Sequence, residues 1–460
     1  MDKFDSFSPT DYRYGPDSLR PFLSENAFTG YKLRVEGALV ETLASYKLCP
    51  KDIVDEVKEA LGRVTTEAVY EEEGRIGHDI RALANILRSN VSERARPFVH
   101  LAATSYDIID TARALMYRDA MRKVIFPDML GLEETLIELA RREKDAPQIG
   151  RTHGQHAVPI TFGFAIAQYV NRWGQSIVNL DGIVYNLVGK FSGATGSYNA
   201  ASLLMDDPIQ FEKDLLQRLG IKPAMISTQI VPPEPALDFL HLIISSFGIL
   251  ANYADDMRHL SRTEIGEVME GSRREQVGSS TMPHKRNPIT FEGIKSAWKA
   301  FMPRIITVYM DQISEHQRDL TNSMSQRYIP ELLVIFDYSV RRANRATKGL
   351  IVDRERMKEN LYMSADQIVA EPLQILLSFY GYPDAHERIR QLSVLSRESE
   401  RLLRELVLED KDLRPYIGGH RKQFDDVFDP KDYKGKASRK TEEVCDHWER
   451  VFSEVREKHG

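Results

Sequence analysis

The apolar positions of the chain fall mostly at helical spacing. Between positions 161 and 190, Ile166, Trp173, Leu180 and Leu187 recur every seven residues, and Val170, Ile177 and Val184 keep the same period offset by four. That alternation predicts one long helix with a narrow apolar seam, of the kind found in helical bundles. A second run sets Leu240, Phe247 and Ala254 against Ile243, Leu250 and Met257. A third carries Ile294, Trp298, Phe301, Ile305 and Val308, and Pro303 is expected to kink it. Met129, Leu132, Leu136 and Leu139 mark a fourth, and positions 329 to 340 open a fifth. Strand-like alternation is scarce, so the expected fold class is all-α. Five long helices with seams on more than one face would overfill a lone bundle, which predicts that several chains associate through them.

Boundaries follow from where this pattern starts and stops. Residues 1–111 read as shorter helices with polar loops, 112–364 as the long-helix domain, and 365–460 as a charge-dense helical domain. A net charge of −6 on 460 residues is mild and argues against a nucleic-acid-binding surface. Cys49 and Cys445 are the only cysteines and form no cluster, as expected in a reducing compartment. The N-terminal stretch shows no apolar signal region, and the weakly charged stretches at 157–170 and 239–251 read as too short to span a bilayer. The expectation is a cytoplasmic protein with no membrane partner.

Candidate chemistry sits in four polar islands: GHDI at 77–80, ATS at 103–105, GRTHGQH at 150–156, and VGSSTMPHKRNPITFE at 277–292. Taken singly, the first two also suit helix starts, with Asp79 near a helix dipole and Thr104-Ser105 as an N-cap. His153 and His156 are spaced by three, but no HExxH and no cysteine cluster accompanies them, so no metal and no cofactor is expected. The fourth island crowds flexible, hydroxyl and cationic groups together just ahead of a helical pattern, more than a surface turn needs.

GSSTMPHKRNP resembles the signature of the fumarase/aspartase superfamily, roughly GSSxMPxKxNP, and the likeness extends over nearly the whole chain. His284-Lys285-Arg286 is similar to the adenylosuccinate lyase branch and to the carboxymuconate cycloisomerases. Arg13-Tyr14, His78-Asp79-Ile80, Thr104-Ser105, Ser227-Thr228-Gln229, QRDLTNSMSQR at 317–327 and FDDVFDP at 424–430 favour the former branch. One departure is Gly293, where vertebrate-type members carry Arg. The resemblance implies a three-domain fold whose long helices pool into a twenty-helix core in a homotetramer, with active sites shared between chains. It implies elimination of fumarate from adenylosuccinate, giving AMP, and from the succinyl-aminoimidazole-carboxamide ribotide, giving AICAR. The alternatives are a 3-carboxy-cis,cis-muconate cycloisomerase or a catalytically silent helical scaffold.

Such an elimination needs a base for a carbon-bound proton, stabilisation of the aci-carboxylate and an acid for the leaving nitrogen. By resemblance Ser279 is the base, on a loop hinged at Gly278. His153 is the acid, Glu292 orients it, and His78 is a second histidine at the substrate. Lys285 and Asn287, a cation and a donor, suit the dianion. Substrates with one phosphate and two carboxylates call for guanidinium forks, and Arg13, Arg318 and Arg327 are the candidates. Tyr14, Asp79, Ile80, Thr104, Ser105, Gln229, Ser280, Arg286 and Ser323 complete the expected binding set.

Overall fold

The computed structural model describes residues 6–271, 281–282 and 284–459, with the backbone alone for 457–459. The chain is helical nearly throughout, with three two-stranded sheets among the described residues. It divides into two compact units, each drawn from three stretches of sequence. One comprises Met1–Leu130, Gln175–Leu250 and Ser296–Arg341, the other Gly131–Gly174, Ala251–Lys295 and Arg342–Gly460.

The seven-residue seams are the buried faces. Ile166, Val170, Ile177 and Leu180 in the Phe162–Ile183 helix are each 0% exposed, and Trp173 is 1%. In the Glu234–Leu260 helix, Leu240, Ile243, Phe247, Leu250, Ala254 and Met257 are all buried. At 27 residues this helix is, by length and composition, apolar enough to cross a membrane, which corrects the reading of its apolar stretch as too short. Over half of its most apolar window is buried inside the fold.

Two expected helices end earlier than the pattern. The first stops at Ile183, where Val184–Asn186 tighten into one narrow turn and Val188–Gly189 pair in parallel with Lys222–Pro223. Val184 and Leu187 are still buried, so the apolar spacing outlasts the helix. At Pro303 the third run breaks rather than kinks, giving helices Ile289–Phe301 and Arg304–Met310. Proline removes an amide donor and clashes with the preceding turn, and here the chain spends two residues re-entering the helix.

In the first unit, Phe247 packs edge-on to Phe336 at 5.7 Å, and Ser176 hydrogen-bonds Ser246 inside the seam. The N-terminal segment is strapped along the Ile329–Lys348 helix: Ser8 donates to Glu331 at 2.5 Å, Tyr14 meets Tyr338 edge-on at 5.5 Å, and Arg341 donates to Ser18 at 2.6 Å. In the second unit, Tyr253 packs edge-on to Phe291 at 6.0 Å and bonds Thr347 at 2.8 Å. Position 174 takes a glycine because the Trp448 indole lies where a side chain would start, 2.5 Å from the point a Cβ would occupy. Residues from Val369 to Phe424 form an apolar cluster of their own.

Candidate active site

His153 stands at the tip of a hairpin, strands Pro147–Thr152 and Gln155–Thr161, with Thr152 opposite Gln155, where the sequence showed no strand alternation. His153 and Gly154 both take positive φ, 54° and 76°. A two-residue loop with two positive φ values matches the twist of the strands, and glycine fills its second position without strain. The imidazole is thereby held out into solvent on a rigid base. The base is anchored by Glu267, fully buried, which accepts from Gln148 at 2.7 Å, Arg151 at 2.6 Å and Asn360 at 2.9 Å. His156 faces Ser364 at 2.8 Å, and burial holds its pKa below the usual histidine value.

Ser279 and Ser280 lie outside the described residues, as does Gly278. The two flanks of that stretch are described, and they are tied together. Val268–Met269 pairs with Ile351–Val352, and Glu270 accepts from the Thr290 amide at 2.9 Å and from its hydroxyl. Lys285 and Arg286 are exposed, Asn287 is half-buried, and Glu292 lies exposed in the first turn of its helix. Among the described residues no hydrogen bond joins Glu292 to His153, so the expected orienting contact is not made within one chain. The Arg342 guanidinium lies 3.6 Å from where a Gly293 Cβ would stand, so an arginine from another helix covers the position that lacks one.

The first unit gathers the candidate anion-binding groups. His78 caps the Asp79–Ser89 helix, its Nδ1 accepting the Arg81 amide at 3.2 Å. That bond fixes the neutral ring's proton on Nε2, which is left as a donor. Asp79 accepts the Ile80 amide at 2.7 Å, while Ile80 itself is 1% exposed. The Ile80 side chain is core, not a ligand contact.

Thr104 is the N-cap of Ser105–Ala120, in a capping box with Asp107. Asp107 is fully buried and also accepts from Lys190, Ser192 and Gly193, which offsets the cost of burying its charge. Arg318 lies over the Tyr106 ring at 4.4 Å and donates Nη2 to its hydroxyl at 2.5 Å. Its Nε and Nη1 are buried without a hydrogen-bond partner among the described residues. The Gln229 amide donates to the Gln317 carbonyl at 3.3 Å, which draws that loop to Arg318. Ser323 bonds its own turn at Leu320, and Arg13 and Arg327 are exposed.

Sequence reasoning missed His100 and Glu36 in this unit. His100, at φ 60°, contacts buried Glu36 at 2.6 Å. Burial works to lower its pKa, but the charge and hydrogen bond of Glu36 outweigh it, so the imidazolium is favoured. The available signal was a histidine four residues before Thr104. A mainly apolar cleft also lies in this unit, lined by Tyr117, Leu237 and Leu240 with Asp110, Arg113 and Gln326 among others. None of the expected site residues lines it.

Comparison with known proteins identifies the family. A lyase family model matches residues 16–300, and an adenylosuccinate lyase C-terminal model matches 314–417. The adenylosuccinate lyase of Pyrococcus abyssi is 35% identical over 449 residues, 96% of this chain and 98% of its own. That of Methanocaldococcus jannaschii is 33% identical over 448 residues, 95% of each chain. Among solved structures, a 3-carboxy-cis,cis-muconate lactonizing enzyme from Pseudomonas putida matches with a TM-score of 0.85 at 26% identity, over 96% of this chain and 99% of that one. A fumarate lyase from Mesorhizobium sp. BNC1 shares the fold, with a TM-score of 0.84 at 24% identity over 94% of this chain and 98% of its own. Full-length likeness to these relatives, with the C-terminal match behind the signature motif, places the chain in the adenylosuccinate lyase family of the fumarase/aspartase superfamily.

Proposed function

We propose that this lyase eliminates fumarate from adenylosuccinate, leaving AMP, and by the same step from the succinyl-aminoimidazole-carboxamide ribotide, leaving AICAR. The observation that carries the reading is the Arg318 guanidinium, buried with two nitrogens unpartnered. Leaving buried charged donors unsatisfied costs free energy that a bound oxyanion returns.

Ser279, as alkoxide, takes the proton from the carbon beside a succinyl carboxylate. The electron pair is held as an aci-carboxylate facing Lys285 and Asn287. It then forms the carbon–carbon double bond as the carbon–nitrogen bond breaks, and His153 delivers a proton to the leaving nitrogen. The elimination thus ends with Ser279 protonated and His153 deprotonated, and it calls for no cofactor. Arg13, Tyr14, Arg318, Ser323 and Arg327 hold the phosphate end. His78, with its free Nε2 donor, and Thr104, Ser105 and Gln229 hold the remaining polar groups.

The assembly belongs to the same proposal: a cytoplasmic homotetramer, three domains with joints near 111 and 364, and long helices pooled into a twenty-helix core. Exposed Met225, Ile226, Ile306, Met310, Ile313 and Leu320 support association, since a lone chain would leave them in water. The separate apolar cluster from Val369 to Phe424 supports the C-terminal joint. Sharing of sites between chains is supported by the missing Glu292–His153 bond. A cycloisomerase is not favoured, because the full-length relatives and the C-terminal match point to the other branch. Following fumarate release from adenylosuccinate by absorbance tests the reading. Release at enzyme-like turnover supports it, and none, with the protein folded, overturns it.

A further inference from the structure

Asp107 lies at the third position of the Ser105–Ala120 helix and is 0% exposed. Its Oδ2 accepts the Thr104 amide at 2.8 Å, which is all that a capping box asks of this side chain. Its Oδ1 takes three more donors from a stretch remote in sequence: the Lys190 ammonium and the amides of Ser192 at 3.1 Å and Gly193 at 3.3 Å. Lys190 is likewise 0% exposed, and its Nζ also donates to the Gly193 carbonyl at 3.2 Å. A fully buried ion pair often adds little stability over apolar side chains of similar volume, and what it can add is a fixed register.

That register is passed on. Ser192 Oγ lies 2.6 Å from Ser227 Oγ, and the Ser227 carbonyl oxygen lies 1.9 Å from where a Cβ of Gly196, at φ 82°, would stand. Two residues on, the Gln229 amide donates to the Gln317 carbonyl at 3.3 Å, and the next residue, Arg318, is held by the Tyr106 hydroxyl at 2.5 Å. Tyr106 precedes Asp107, so the circuit closes on itself. Thr104, Ser105, Gln229 and Arg318, four of the expected binding residues, all lie on it. We propose that Asp107 is the positioning residue of this binding set. It acts through Tyr106 on one side, and through Ser192, Ser227 and Gln229 on the other, to aim the Arg318 guanidinium. This rests on the reading of Arg318 as an anion-binding group of an adenylosuccinate lyase. The charge is what matters, not the shape alone, because Asn offers one acceptor oxygen where Asp107 uses two.

The test joins AMP binding by calorimetry, steady-state kinetics and amide hydrogen exchange over residues 227–231, all on the intact protein. Asp107→Asn alone strands the Lys190 ammonium in the core, so it is combined with Lys190→Met, which removes that charge and keeps an apolar stem. With its fold verified by circular dichroism, the paired variant should bind AMP about tenfold more weakly and raise KM to match. It should keep kcat within about threefold and exchange faster over 227–231. Ser192→Ala cuts the circuit at its middle without touching the helix cap. It should weaken AMP binding by about threefold, and add nothing further on the paired variant, since both cut one circuit. A merely structural Asp107 would lower the melting temperature and leave AMP affinity and KM of the folded protein unchanged. That result would overturn the inference, as would losses that add. Exchange needs no substrate: a wild-type protein that neither releases fumarate nor binds AMP would condemn the functional reading, whereas unaltered exchange in the paired variant would condemn the circuit.

Discussion

Arg318 and Lys285 are both cations expected at the substrate, but they sit in different chemistry. Arg318 is held by Tyr106, and in the proposed site its remaining nitrogens are assigned to an anion that exists before and after the reaction. Arg318→Met should therefore raise KM by roughly 10–100-fold and leave kcat within a few-fold. Lys285 is assigned to charge that develops only as the proton leaves carbon, so Lys285→Met should lower kcat by ~10²–10³-fold with little change in KM. Steady-state kinetics on the two variants checks the division, and equal losses of kcat would contradict it. At this scale motifs in the sequence name the candidates, and Ser279 and Ser280 of the most specific motif lie outside the described residues. The structure adds what a motif cannot: Thr104 is the helix cap that the sequence also offered, and the Ile80 side chain beside the His-Asp pair is core.

At the scale of elements, periodicity carried far. The seam residues of Phe162–Ile183 and Glu234–Leu260 are buried as the seven-residue spacing requires, and Pro303 ends a helix. The hairpin at 147–161 escaped because two short strands, one bulged between Ile149 and Arg151, give too few alternating positions to outweigh helical neighbours. Its turn makes a prediction. Gly154→Ala places a Cβ at φ 76°, where L-residues are strained, and should shift His153 without altering its chemistry. A kcat loss on the order of tenfold is expected, with AMP binding retained. Full kcat in that variant would show that the turn does not position the histidine.

A second element carries a titrating pair. Asp337 is fully buried, beside Asp128 and bonded by Arg341 at 2.9 Å. Burial first, and then the charge of Asp128, push its pKa up to about 7, against the pull of Arg341. A raised carboxyl pKa means the folded state holds a proton that the unfolded chain releases. Its stabilising contribution is complete below about pH 4 and is lost as pH rises through 7. Asp337→Asn can donate to Asp128 and accept from Arg341 at every pH. It should gain on the order of 2–4 kcal/mol on the wild-type protein between pH 5 and 8. Denaturant unfolding at the two pH values reads the difference, and parallel curves would show that the pair shares no proton.

For the whole molecule, the residues assigned to the nucleotide and those assigned to proton transfer come from different stretches of the chain. His153 stands on its hairpin with no bond to Glu292 among the described residues, and apolar side chains such as Met225 and Leu320 stand exposed. Seams on several helix faces are the ground in the sequence for expecting association. Which chain would complete which site is not legible there, because spacing along one chain says nothing of its neighbours. If each site takes His153 from one chain and Ser279 from another, His153→Gln and Ser279→Ala proteins are each inactive. An equimolar mixture, denatured and refolded together, then holds about one quarter of its sites with both native residues. Fumarate release by that mixture is the decisive measurement. Activity near one quarter of wild type is the expected result, and a mixture as inert as its parents, with tetramers confirmed by sizing, would contradict the shared site.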